Sequence, residues 1–309
     1  MTSLITGGAG FIGEEVVRLL LARGEGKPVI FSRSPSTKQF GELSGDIDAI
    51  AGDLGNYDDV LSAVERSKPD VIYHIGAMLP NGTESDTAGG IQANAMGTFH
   101  VLEAARLSGV NQVLFANSFG VYGDGIDTPE IGDNSPQFPR LLYGITKVFG
   151  EQLGLYYRRN HGVDFRGIRY PFIIGATGPS GGFSGHYYSA LTACVKGDPY
   201  TALVEPDFKG PTLYIKDAAR VIVDMGKAPV DRIKTVNYGL NGIAPTPTAQ
   251  EVVDMIKAKI PGAQIDFKPK IFPADRLGDI FKPYDDSAAQ NEWGWKVEYD
   301  LKMMLDDIF

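Results

Sequence analysis

The sequence predicts an α/β protein: a Rossmann-like, doubly wound parallel sheet with a smaller, interleaved C-terminal substrate lobe. Three observations lead there. Through the first half, short apolar segments alternate with segments of helical period, which implies right-handed crossovers and a parallel sheet covered on both faces. The first apolar segment runs straight into a glycine-rich turn, Thr6-Gly7-Gly8-Ala9-Gly10-Phe11-Ile12-Gly13, that opens a helix. The 309 residues, 43% hydrophobic and 22% charged, suffice for a large core without disulfides or metals.

The elements follow in order. Ser3–Thr6 is a strand, and Phe11–Arg23 a helix on the spacing of Ile12, Val16, Leu19 and Leu20, stopped at Gly24. Pro28–Phe31 and Ile47–Asp53 are strands, and Asp58–Arg66 is the next helix. Asp70–Gly76 is a buried strand, 90–108 a long helix ending at Gly109, and Gln112–Asn117 another strand. A second long helix covers Tyr143–Asn160, and Val163–Arg169 closes the regular half. Residues 171–211 then turn rich in Gly, Pro, Ser and Tyr, with one short helix around 186–196. Leu213–Met225 reads strand then helix, Val236–Gly239 strand, Thr248–Ile260 amphipathic helix and Gln264–Lys268 strand, with a terminal helix after Asp300. This assigns 1–170 to a dinucleotide-binding domain, with 211–240 returning to it, and 171–210 with 241–309 to a substrate-binding lobe.

The net charge of -9 opposes nucleic acid and anionic membrane surfaces as partners. No apolar run is long enough for a bilayer, and the chain opens on a strand-like segment, so the expected compartment is the cytoplasm. The one cysteine, Cys194, in an apolar stretch, reads as a core residue, and the four histidines lack metal-ligand spacing, so no metal is expected.

Gly7, Gly10 and Gly13 divide the work of a pyrophosphate cradle. The first permits the tight turn, the second the close approach of backbone to phosphate, the third the packing of helix on strand. The helix start, including Phe11 and Ile12, offers N–H groups to the anion. After the second strand, Phe31-Ser32-Arg33-Ser34 holds no carboxylate for ribose hydroxyls. Arg33 with Ser32, assisted by Lys38, suits a 2′-phosphate, and the competing readings are an arginine stacked on adenine or a solvated loop charge. The cofactor expected is therefore NAD(P)(H), with NADP favoured over NAD. Asp53, followed by Leu54, is placed either to meet the adenine amino group or to cap a helix, a role that Asn56 or Asp58 fits better.

Tyr143 and Lys147 lie one helical turn apart, so their side chains share a face, and an ammonium beside a phenol favours the phenolate. Ser118, just after the strand ending at Asn117, is placed to hold a substrate oxygen, or else to satisfy local backbone. Together the three describe a general base for alcohol–ketone chemistry.

These motifs, with Gly52-Asp53-Leu54, the Val71–Ala77 segment, Asn94-Ala95-Met96-Gly97-Thr98 and Arg169-Tyr170-Pro171, resemble the extended short-chain dehydrogenase/reductases along essentially the whole chain. The resemblance implies that Tyr143 is the acid/base, that Lys147 tunes it and holds the nicotinamide ribose, and that Ser118 polarises the substrate oxygen. It adds Gly76, Ala77, Asn94, Tyr170 and Pro171 to the cofactor residues and suggests Met78, Ser184 and His186 for the substrate. It also implies a homodimer built through the helices at about 90–108 and 143–160. Nucleotide-sugar members carry an arginine for the diphosphate where this chain has Gly210. Leu213–Ala218, Asp285–Trp295 and Glu298–Leu301 are similar to the short-chain type of threonine dehydrogenase, whereas Met78–Gly82 and Gly181–Tyr187 depart from it. The expectation is a dehydrogenase acting on a small polar secondary alcohol. The alternatives are an epimerase or dehydratase with a tightly held cofactor, and a non-catalytic dinucleotide sensor.

Overall fold

The computed structural model describes residues 1–175, 190, 193–194, 196–269, 278 and 280–309. Seven strands form one parallel sheet: β1 (Thr2–Thr6), β2 (Lys27–Ser32), β3 (Asp48–Ala51), β4 (Val71–His74), β5 (Gln112–Ser118), β6 (Asp164–Tyr170) and β10 (Asn237–Gly239). Their order is β10-β6-β5-β4-β1-β2-β3. The chain leaves β1 toward one edge and returns through β4 toward the other, so the reversal falls between β1 and β4, where Leu4 pairs with Ile72. Ligands in doubly wound sheets bind outside the carboxyl ends of the strands at such a reversal.

The central strands are buried on both faces, as their near-continuous apolar runs require. Helices α1 (Phe11–Ala22), α2 (Tyr57–Ser67), α5 (Gly97–Ser108), α6 (Leu142–His161) and α7 (Ile215–Lys227) cover them. Asn56 caps α2, accepting hydrogen bonds from the N–H groups of Asp58 and Asp59, as its sequence position suggests. Helix α8 (Ala249–Lys259) begins in a capping box of Thr248 and Glu251.

The structure differs from the sequence expectation in three places. The helix expected over 90–108 is composite: short helices α3 (Pro80–Ser85) and α4 (Thr87–Gly90) lead into a π-helical stretch, Ile91–Met96, before α5 begins. A hydrophobic period does not register the extra residue of a π turn. Within 211–240, only α7 and β10 return to the main sheet; β9 (Thr212–Tyr214) pairs with β7 (Phe172–Ile174) in a separate two-stranded sheet. A third small sheet pairs β11 (Ile265–Phe267) with β8 (Tyr200–Ala202). The helix expected around 186–196 lies largely outside the described residues. Short helices α9 (Ser287–Trp293) and α10 (Leu301–Ile308) end the chain.

Beneath the carboxyl ends of β5 and β6 lies a buried ionic network. Arg169 on β6 grips Glu151 on α6 with two hydrogen bonds, Nη2 to Oε1 at 2.5 Å and Nε to Oε2 at 2.9 Å. Both side chains are at most 5% exposed. Asn117 donates to the same carboxylate at 2.6 Å and Gln137 at 3.0 Å. Arg169 also donates to the Tyr122 hydroxyl and the Asp133 carbonyl. Removing one partner of such a pair strands a buried charge. Glu151→Ala is expected to lower unfolding free energy by about 3–5 kcal/mol, measured as a shift of the urea midpoint at constant slope; a shift of under about 1 kcal/mol, the range of an exposed pair, would refute this.

Candidate active site

Most cofactor residues expected from the sequence lie at or just beyond a strand's carboxyl end, whereas Asn94, Tyr143 and Lys147 lie on helical segments. After β1, Gly7 takes a left-handed φ of 68°, and a Cβ there would lie 2.7 Å from the Gly76 Cα. No other residue type lets the turn after β1 and the turn after β4 touch. A Cβ on Gly13 would lie 2.2 Å from the Gly7 carbonyl oxygen, so α1 packs on the turn only through glycine. Gly10 caps α1 without a side-chain hydrogen bond, which leaves the first-turn N–H groups of Phe11, Ile12 and Gly13 open to an anion. These features fit a dinucleotide's pyrophosphate.

Thr6 holds the two turns in place. Its hydroxyl accepts from the N–H groups of Ile75 and Gly76, both at 3.1 Å, and meets His74 Nδ1 at 2.9 Å. Since Oγ1 already accepts twice, its proton goes to Nδ1, and His74 carries its own on Nε2, facing Thr98 Oγ1 at 3.0 Å. Burial, aided by the charge of Lys147, pulls the His74 imidazole down to about 3, so it stays neutral.

Beyond β2, Ser32 is partly exposed, and Arg33 and Lys38 are exposed. Among the described residues neither cation forms an ion pair. Their loop is tied to the glycine turn by Gln39, whose Nε2 donates to the Ala9 carbonyl at 2.9 Å, and by Arg18, which donates to the Gln39 carbonyl at 2.7 Å. Beyond β3, Asp53 accepts from the N–H of Gly55 at 2.8 Å, and Leu54 packs on Gly76. Ala77 and Met78 are partly exposed beyond β4.

Asn94 occupies a different place from the one expected. It lies in the π-helical stretch, is buried, and clamps the Met78 backbone on both sides: Oδ1 accepts from the N–H at 2.7 Å and Nδ2 donates to the carbonyl at 2.9 Å. It therefore shapes the loop beyond β4 rather than offering its amide to a ligand. Tyr170 likewise turns its hydroxyl away, to the Ala218 carbonyl on α7 at 2.7 Å; Pro171 beside it is buried. Ser184 and His186 lie outside the described residues.

Tyr143, Lys147 and Glu151 follow one another at helical spacing along α6. A Cβ on Gly144 would lie 2.0 Å from the Gly120 carbonyl oxygen, so glycine lets the start of α6 close on the turn after β5. That turn carries Ser118, whose hydroxyl lies beside the Tyr143 phenol and accepts from the N–H of Gly120 at 3.0 Å. The reading in which Ser118 satisfies local backbone is thus observed. The Ser118 N–H donates to Asn117 Oδ1 at 2.9 Å.

The electrostatics differ from the expectation that Lys147 draws down the phenol. The Lys147 Nζ donates to the Ala116 carbonyl at 2.7 Å and lies 5.7 Å from the Tyr143 ring centre. Burial pushes the Tyr143 phenol up to about 12, against the opposing hydrogen bond from Ser118, and burial pulls the Lys147 ammonium down to about 7. Sequence reasoning also missed Thr6, Asn117, Glu151 and Arg169. Glu151 alone had a signal, its place one turn beyond Lys147.

Sheet, glycine turn and the residues gathered at the carboxyl edge define a Rossmann-type NAD-dependent oxidoreductase. Residues 3–239 match the NAD dependent epimerase/dehydratase family, and the chain belongs to it. It is 30% identical over 305 residues to the mitochondrial L-threonine 3-dehydrogenase of Sus scrofa, covering 98% of this chain and 80% of the relative. The structure is similar to the holo form of a GalE-like L-threonine dehydrogenase from Cupriavidus necator, with a TM-score of 0.89, 29% identity, and 100% and 98% of the two chains covered. The UDP-glucose 4-epimerase of Thermus thermophilus in complex with NAD shares the fold, with a TM-score of 0.81 and 22% identity over 100% of this chain and 99% of that one. Among the described residues no helix is long and apolar enough to cross a membrane.

The burial of Lys147 has a consequence for stability. Its folded value of about 7 lies below the unfolded value of about 10.4. Between these the unfolded chain binds a proton that the folded chain lacks, so stability rises with pH across the window and is lost as pH falls through about 7. Thermal melts of the ligand-free protein between pH 7 and 10 are expected to show this rise, and Lys147→Met to remove it. Parallel profiles for the two proteins would contradict the assignment.

Proposed function

We propose that the chain interconverts a small polar secondary alcohol and its ketone, with NAD(P) as hydride carrier. The observation that carries this reading is the closeness of the Ser118 hydroxyl to the Tyr143 phenol at the sheet's carboxyl edge, with one strand, β4, between Ser118 and the glycine cradle. When bound, the dinucleotide takes or supplies hydride at its nicotinamide C4. Ser118 holds the substrate oxygen, and Tyr143 takes the hydroxyl proton in oxidation or returns it in reduction. A phenol near 12 keeps its proton at neutral pH, which suits the reductive direction directly. In this reading Lys147 holds the nicotinamide ribose, as the family resemblance implies. The sequence similarity to L-threonine 3-dehydrogenases supports a hydroxy-amino acid or a related alcohol as substrate.

Arg33 and Lys38, exposed, without an ion pair among the described residues and joined by no carboxylate after β2, support NADP over NAD. Residues 1–170 with α7 and β10 make the dinucleotide-binding part, and the remainder the substrate lobe. Exposed Ile145, Phe149 and Tyr156 on α6, with Ile91 in the π-helical stretch and Leu107 on α5, support pairing of two copies through these helices. The family's description also admits epimerisation or dehydration with a retained cofactor; purified protein carrying stoichiometric dinucleotide and showing no net redox with any alcohol or ketone would favour it.

Tyr143→Phe is expected to lower kcat by about a hundredfold to ten-thousandfold while dinucleotide affinity, read by fluorescence titration, is retained. A variant as active as the parent would point to a sensor rather than an enzyme. Arg33→Ala removes a charge-assisted contact of about 1.5–3 kcal/mol. It should raise KM for NADP about tenfold to a hundredfold, far more than for NAD; equal effects on both cofactors would refute the 2′-phosphate role.

A further inference from the structure

The residues that follow the two key strand ends are both phenylalanines. Phe119 comes directly after Ser118, and Phe172 directly after Pro171, beyond the paired ends Ser118 and Tyr170 of β5 and β6. Their rings meet edge to face at 4.6 Å. Phe172 stacks on Phe281 at 6.0 Å, and Phe281 meets Phe208 edge to face at 5.2 Å. Among the described residues, four aromatic rings from four segments thus join as one wall that begins at Phe119, next to Ser118. Gly210 closes it: a Cβ there would lie 3.0 Å from Phe172 and 3.1 Å from Phe208. Phe119, Phe208 and Phe281 remain partly exposed.

We infer that this wall is the specificity surface of the proposed alcohol–ketone site, and that it takes substrates whose carbinol carbon carries an apolar aliphatic or aryl substituent, and rejects phosphorylated or nucleotide-linked ones. The inference rests on the proposed function and names its substrate class. A ring face offers dispersion and area burial to a hydrocarbon group, whereas a diphosphate needs forked cations or clustered N–H donors. Among the described residues, the lysines adjoining the wall in sequence are Lys209, exposed near the Glu251 carboxylate, and Lys282, which donates to the Ile126 carbonyl. The space around Gly210 is filled by carbon, so an arginine fork at that position would have to displace Phe172 and Phe208. The polar end of the substrate is set elsewhere, and the wall governs only the substituent. In the reductive direction the ketone carbon receives hydride from the reduced nicotinamide, its oxygen receives the Tyr143 proton, and the dinucleotide leaves oxidised.

The test uses matched series in which only this substituent grows: 2-amino-3-hydroxy acids bearing methyl, ethyl or phenyl, and 2-alkanols from butan-2-ol to heptan-2-ol, followed at 340 nm with both dinucleotides. The wild-type kcat/KM is expected to rise about tenfold per added methylene until the wall is covered, and Phe119→Thr to flatten that slope. Millimolar UDP should not compete with the substrate. A slope that is flat or falling in the wild type, a Phe119→Thr variant that scales every substrate down equally, or competitive inhibition by UDP would each overturn the inference while leaving the dehydrogenase standing. An enzyme that turns over no member of either series, nor their ketones, would instead overturn the dehydrogenase reading, and this inference with it.

Discussion

The ion pair between Glu151 and Arg169 is the constraint on which the catalytic side of this molecule depends. Neither charge is stable alone in the core, so each requires the other in a fixed place. Glu151 belongs to α6 and Arg169 to β6, and Asn117 on β5 completes the carboxylate's coordination. Three elements are thereby locked in one register. The lock passes upward: Asn117 uses its other amide atom to hold the Ser118 N–H, and Glu151 lies two helical turns below Tyr143 on α6. Any slip of α6 along the sheet that moved the phenol would first have to unpair a buried charge. A network of this kind stabilises a folded protein little compared with well-packed hydrocarbon, but it penalises every alternative arrangement heavily.

The cofactor side is held by different physics. There the chain relies on close contact between turns, made possible by Gly7 against Gly76 and Gly13 against Gly7, and on the neutral chain from Thr6 through His74 to Thr98. Neutrality matters, because a cation at His74 would stand near Lys147, which already feels the shortage of solvent. Burial pushes Tyr143 and Lys147 in opposite directions, and both shifts favour the uncharged form. The ligand-free site is therefore poised with little charge, and the charges that bias it arrive with the ligands rather than residing in the fold. This explains why spacing alone overstated the influence of Lys147 on Tyr143: helical proximity sets position, but a side chain that donates to the Ala116 carbonyl directs its charge away from the phenol.

Much of this was legible in the sequence. The period of apolar residues located the seven main-sheet strands and the helices between them, because a strand buried on both faces must be apolar throughout. The glycine turn was legible because its residue types are dictated by backbone geometry, and the gathering of Ser118, Tyr143 and Lys147 because helical spacing puts Tyr143 and Lys147 on one face of α6. What escaped was of another kind. The pairing of β7 with β9 joins segments whose three-residue length carries no period. The π-helical stretch hides inside a helical pattern and is visible only through its effect, the placement of Asn94 against Met78. The pairing of Glu151 with Arg169 escaped because a sequence shows a charge but not its partner.

These differences divide the site by the kind of force that shapes it. Toward the sheet, polar groups are matched one to one: Thr6 with Ile75 and Gly76, Asn94 with Met78, Asn117 with Ser118 and Glu151. A substitution there leaves a buried group unpaired, so that side has little freedom to vary and defines the chemistry common to the fold. Away from the sheet, past Ser118 and Pro171, contacts between rings replace hydrogen bonds. Ring contacts tolerate exchange of shape at small cost when volume is kept. The packing at Phe119 or Phe172 can therefore change without disturbing the ion pair beneath them. Hydride transfer and substrate choice are separable in this fold because one rests on obligatory polar pairing and the other on adjustable packing.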